Sequence, residues 1–149
     1  MAKVYPYKSL DDVLHQIKSQ ALKDVKYMKA RLPYRSLPDL FLYLKSVTSY
    51  KNDPKQIELI HRPKSLFENN YHGKPGAGDC DCFTTLGIAS LLAAGYKPSE
   101  IFITLVGREK TKPRHIYLYV DTTAFDLTNS MLGIERKYPF RQFINLNKI

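Results

Sequence analysis

The stretch Gly76-Ala77-Gly78-Asp79-Cys80-Asp81-Cys82-Phe83 sets a thiol directly after a glycine-rich turn, at the head of an apolar run reaching Ala94. If that run is a helix, Cys80 stands in its first turn. Amide N–H groups there lack intrahelical acceptors, and the helix dipole is positive. Both favour the thiolate, the form of cysteine that attacks, so the placement predicts a depressed thiol pKa. Two further residues suit the same chemistry. His115 opens His115-Ile116-Tyr117-Leu118-Tyr119-Val120, which reads as a strand, and Asp126 lies in Ala124-Phe125-Asp126-Leu127, a short strand after the Asp121-Thr122-Thr123 turn. Antiparallel neighbours would bring the imidazole and carboxylate together, and a helix packed on them would present the thiol. The imidazole then moves the proton, while the carboxylate orients it and stabilises imidazolium.

Each of these residues also has a plainer reading. A free cysteine is most often a small buried hydrophobe, and Asp126 by itself could simply stop a strand. Cys82 is two residues further on, ~200° round a helix, so its expected role is packing. Cys80, Cys82, His72 and His115 could together ligate a metal, but without the separations of zinc knuckles. His15 and His61 read as surface residues, and His72 as a reserve base in the loop before Cys80. Tyr117 and Tyr119 alternate as residues packing a sheet face do.

The elements that must position these groups follow from periodicity. Ser9 caps a helix whose stripe of Leu10, Leu14, Ile17, Ala21, Val25 and Met28 predicts one amphipathic helix ending near Arg31-Leu32-Pro33. Ser36-Leu37-Pro38-Asp39 starts a second, with Leu40, Phe41, Leu44 and Val47 on its core face. Tyr50-Lys51-Asn52-Asp53-Pro54 is a turn. Gln56 to Ile60 is read as a short helix, Pro63 to Glu68 as one more turn of helix, and Tyr71 to Gly78 as a loop. The helix from Asp79 is apolar all round, hence buried, and stops at Gly95. Ile101 to Val106 is a strand, and Tyr138 to Leu146 supplies an edge strand. Helices first and strands later make an α+β domain.

The chain has 149 residues, 44% hydrophobic and 25% charged, enough for one core without disulfide staples. No apolar run approaches the ~20 residues of a membrane helix. The start, Met1 to Tyr7, has no secretory signal pattern, which implies cytoplasmic synthesis and leaves the virion or the cell envelope open as destinations. Cys80 and Cys82 are too close in sequence for good disulfide geometry and read as free thiols. The net charge is +9, and residues 1–75 hold 14 Lys and Arg against 7 Asp and Glu. A basic front half could dock on an acidic polymer, cell wall or nucleic acid, or be a solvated helix face. Nothing reads as a cofactor motif.

Gly78-Asp79-Cys80-Asp81-Cys82-Phe83, His115 to Val120 and Phe125-Asp126-Leu127-Thr128 together resemble the transglutaminase-like superfamily, the papain-like group running Cys, His, Asp in chain order. The likeness covers about residues 36–130; residues 1–35 form a basic helical extension outside it, and 131–149 a tail. It implies a papain-like α+β fold with the cysteine-bearing helix on a small antiparallel sheet. Cys80 would be the nucleophile, His115 the general base and acid, and Asp126 the orienting carboxylate. The implied activity is acyl transfer through a thioester, foremost as a cysteine peptidase or amidase acting on a peptide or protein, in a bacterial or phage setting. The same likeness allows a protein-crosslinking transglutaminase, or a non-catalytic binding or virion-structural module. Where many relatives carry a second acidic residue this chain has Cys82, and where many have tryptophan it has Tyr117. For the oxyanion the Cys80 amide offers one donor, with Asn69, Asn70 or Tyr71 as the other.

Overall fold

A computed structural model of the chain describes residues 3–6, 9–32, 36–51, 57–68, 76–109 and 113–149. Its elements in order are β1 (Lys3–Pro6), α1 (Leu10–Leu22), α2 (Val25–Arg31), α3 (Leu37–Val47), β2 (Ser49–Tyr50), β3 (Ile57–Ile60), α4 (Pro63–Glu68), β4 (Ala77–Gly78), α5 (Cys80–Ala93), β5 (Ile101–Gly107), β6 (His115–Val120), β7 (Thr123–Phe125) and β8 (Phe140–Asn145). Among the described residues this is a mixed α+β arrangement in which five helices pack against a four-stranded antiparallel sheet of order β7-β6-β5-β8. No helix among the described residues is long and apolar enough to cross a membrane.

Helix α5 is the axis of the core. Every residue from Asp81 to Leu91 is buried, as an all-round apolar pattern requires. One flank receives α1 and α2, through Leu14, Ile17, Ala21 and Met28, and the other lies on β6. The sheet contributes Ile103, Leu105, Ile116, Leu118 and Phe125 to this core. Phe41 of α3 meets Phe125 edge-on, with ring centroids 5.3 Å apart. On β6 the pleat sends Ile116, Leu118 and Val120 into that core and His115, Tyr117 and Tyr119 to the other face.

The caps and β-strands expected from residue type are present. Ser9 accepts from the Asp12 amide at 3.2 Å and Ser36 from the Asp39 amide at 3.4 Å. Strand β8 pairs with β5 at the sheet edge. Three expectations are corrected. The first helix is broken in two, because Asp24 leaves helical geometry and its carboxylate bonds elsewhere, to Arg62 at 2.9 and 2.5 Å and to the Lys64 amide at 2.9 Å. Val25, past the break, is consequently only half-buried. Within the stretch read as a helix from Gln56, residues 57–60 form β3, which pairs antiparallel with β1; a partner strand some fifty residues away overrides local propensity. His61, expected at the surface, is fully buried, since β3 packs against α1 and α5 and carries the next residue in with it. His72, Asn52 to Gln56 and the Asn69, Asn70 and Tyr71 donors lie outside the described residues.

Candidate active site

Two glycines explain how Cys80 is delivered. Gly76 has φ +81°, and a Cβ there would lie 1.9 Å from the Val47 carbonyl oxygen, so only glycine fits beside the end of α3. Gly78 pairs with Tyr50 in the short parallel contact of β2 and β4, and a Cβ on it would lie 2.7 Å from that of Cys82. Asp79 then caps α5, its carboxylate accepting from the amides of Asp81 at 3.2 Å and Cys82 at 3.5 Å. Cys80 opens the helix, half-buried, whereas Cys82 is sealed in the core.

His115 is the first residue of β6, and Asp126 the first beyond β7. The register opposes Leu118 to Phe125, so Asp126 continues onto the face that carries His115 and Tyr117. Its Oδ2 lies 2.6 Å from His115 Nε2. Thr128 donates to Oδ1 from its amide at 3.0 Å and its hydroxyl at 2.7 Å, and Asn129 Nδ2 reaches Oδ2 at 3.4 Å. The carboxylate is thus held from several directions, and it holds the imidazole through Nε2. Nδ1 is the nitrogen left for another partner. The ring also stacks on Tyr117, centroids 5.2 Å apart at 24°.

Tyr117 is itself anchored. Its hydroxyl and that of Tyr119 donate to Glu135, which also accepts from Arg141 Nη1 at 2.8 Å. Burial alone would raise the Glu135 carboxyl; the hydrogen bonds from Tyr117, Tyr119 and Arg141 more than reverse this and hold it below the ordinary value. Burial and the neighbouring carboxylate push the Tyr117 hydroxyl well up, so it stays a donor. Glu135 stands in an irregular stretch with no sequence signal, and only the fold joins it to the sheet face.

Two cavities meet at His115. One, of about 290 Å³, is lined by Cys80, Asp79, Asp81 and Arg114 with apolar residues of α1 and β5; the other, of about 350 Å³, by Asp126, Thr128, Asn129, Arg136 and Tyr138. Tyr50, Arg114 and His115 border both. Cys80 and His115 therefore open on one cleft, and Asp126 borders its second arm. Residue type alone does not place Asp81, Tyr50, Arg114 or Arg136 at this cleft; the local signals are Asp81 beside Cys80, Arg114 beside His115, and Tyr50 in the turn upstream of the nucleophile candidate.

The electrostatics correct the expectation of a depressed thiol. Burial pushes the Cys80 thiol up to about 12, and the charge of Asp79 adds to this. The amides of Ile116 and Asp81 favour the thiolate, but with the Asp126 charge also opposing, they do not prevail. The helix N-terminus does act as anticipated, but its own capping carboxylate and the loss of water outweigh it. The resting group is a neutral thiol. Burial likewise pushes the Asp81 carboxyl up to about 6, with the charge of His115 acting the other way. Among the described residues no three His, Cys, Asp or Glu side chains are grouped as metal ligands. Neither a protein-family model nor a curated protein sequence matches the chain.

Proposed function

We propose that the chain is a transglutaminase-like, papain-like cysteine acyl-transfer enzyme that hydrolyses a peptide or isopeptide bond. The observation that carries this reading is the 2.6 Å contact of His115 Nε2 with Asp126 at the cleft where the Cys80 thiol opens. With Nε2 engaged, Nδ1 takes the thiol proton as the sulfur attacks the substrate carbonyl, forming the S–C bond and an oxyanion. Asp126 stabilises the imidazolium. Collapse breaks the C–N bond, and the imidazolium returns its proton to the leaving amine, leaving a thioester on Cys80. Water, deprotonated by the same nitrogen, then releases the acid and restores the thiol. An amine in place of water would give crosslinking through the same intermediate.

The raised thiol favours a second reading, a non-catalytic module that keeps this architecture for binding. It also sets the demand on the enzyme: the proton must leave during attack, in concert with His115, because burial favours the neutral Cys80 thiol at rest. Cys80 labelling by iodoacetamide, followed by peptide mapping, decides between the two. For the enzyme, His115→Ala lowers the Cys80 rate at pH 7 by about 10²-fold, as loss of a general base should. If the rate at Cys80 matches that at buried Cys82 and ignores His115→Ala, the binding module stands instead.

A further inference from the structure

We propose that Asp81 makes the Cys80 arm of the cleft a subsite for a primary ammonium on an aliphatic stem, such as a lysine or other diamino-acid side chain next to the attacked bond. The assignment rests on Cys80 being the nucleophile and names the substrate class for it.

Asp81 is only 9% exposed, yet it borders the same cavity as the thiol. Its backbone is fully used: the amide donates to Asp79 and the carbonyl accepts from the Thr85 hydroxyl at 2.8 Å. Its carboxyl has no hydrogen-bond partner among the described residues. A buried carboxyl without a partner is costly to keep, and such groups collect where a ligand supplies what the protein omits. An ammonium supplies both the charge and the N–H donors.

The walls fit the rest of such a group. Leu10 and Val13 of α1, Leu105 of β5 and Pro113 give the cavity one apolar wall beside its polar residues, and about 290 Å³ admits one side chain rather than a whole ligand. An alkyl stem would lie on these residues while its charged end reaches Asp81. Polarity also orients the substrate. Arg114 borders both arms, but Arg136 belongs to the second alone and Asp81 to the first alone, so the difference between the arms draws a cation to Asp81. His115 lies between the arms, and Asp79 is engaged with the α5 amides.

Methanethiosulfonates of different charge test this on the intact chain, since each forms a disulfide with the thiol and expels methanesulfinate. The readouts are Cys80 rates for the aminoethyl, methyl and sulfonatoethyl reagents, each divided by its rate with mercaptoethanol. On a protein of net charge +9, overall electrostatics favours the anionic reagent. The expected result is the reverse: the aminoethyl reagent exceeds the methyl one by about fivefold, a modest local ion-pair effect. In Asp81→Asn the ratio falls to about one or below. A wild-type ratio of one or less overturns the subsite whatever the variant does, as does a preference that survives Asp81→Asn. The methyl reagent separates the two layers: if its rate at Cys80 ignores His115→Ala, the nucleophile reading fails. A His115-dependent rate with no cationic preference removes the ammonium subsite alone.

Discussion

Asp24 and Asp81 are both buried aspartates near the start of a helix, and the fold treats them in opposite ways. Asp24, 2% exposed, is met by the Arg62 guanidinium and the Lys64 amide. Burial would raise its carboxyl, but these partners hold it below the ordinary carboxylate value. It ties the α1–α2 junction to α4. Asp81 has no such hydrogen-bonded partner among the described residues, and burial pushes it up to about 6 against the charge of His115. A satisfied buried charge is a fastener, whereas on the subsite proposal an unsatisfied one beside the Cys80 thiol is a place for a group that arrives from outside. The contrast separates what holds this molecule together from what it keeps ready.

The strongest way to break the contrast is to strip Asp24 of its partner. Arg62→Ala should destabilise the chain by about 2 kcal/mol, below the ~3–5 of a fully buried pair because the Arg62 side chain is 36% exposed. Urea unfolding at pH 7 measures it, and an unchanged midpoint would show that Asp24 needs no counter-charge.

The opposite sign is expected at Asp81. Its folded pKa lies above the ~3.9 of an unfolded aspartate, so the folded state binds more protons between about pH 4 and 6. Its penalty is full at neutral pH and fades as the pH falls through 6 towards 4. Asp81→Asn should therefore stabilise the protein by about 1–2 kcal/mol at pH 7 and by little at pH 4.5. Asp24 has a lowered folded pKa, so its contribution holds above ~3.9 and is lost only as the pH falls through the folded value. Unfolding of wild type and Asp81→Asn at the two pH values checks the sign at Asp81, and a destabilised Asp81→Asn at pH 7 would mean that the carboxyl already has a partner.

The smallest effect sharpens the account of Asp24. Lys64 holds it chiefly through a backbone amide; the Lys64 charge adds a smaller pull, and its side chain makes an exposed 4.0 Å contact with Glu68. Lys64→Ala should cost no more than about 0.5 kcal/mol. A cost near that of Arg62→Ala would move the fastener to the lysine charge.

Much of the scaffold was legible in the sequence because it rests on local rules. The Ser9 and Ser36 caps, the all-round apolar run of α5, the β-branched strands β5 and β6 and the edge strand β8 each follow from side-chain type and period. The failures share a cause, namely partners distant in sequence. Gln56 to Ile60 reads as helix until β1 pairs with β3; the stripe from Leu10 to Met28 reads as one helix until Arg62 captures Asp24; His61 reads as exposed until β3 is seated against α1 and α5.

The site divides in the same way. Residue type and order nominate Cys80, His115 and Asp126 as candidates, since a thiol after a glycine turn, an imidazole opening a strand and a carboxylate just past the next are local patterns. The state of the thiol was not local. Helix position argues for ionisation, but desolvation and the charges of Asp79 and Asp126 depend on what surrounds the sulfur, and they raise the thiol. Nor could sequence reveal that the Asp81 carboxyl has no hydrogen-bond partner among the described residues at the cleft, or that Glu135 anchors Tyr117 beneath the imidazole. Short-range order is written in neighbouring residues; solvation and long-range charge exist only once the chain has closed around them.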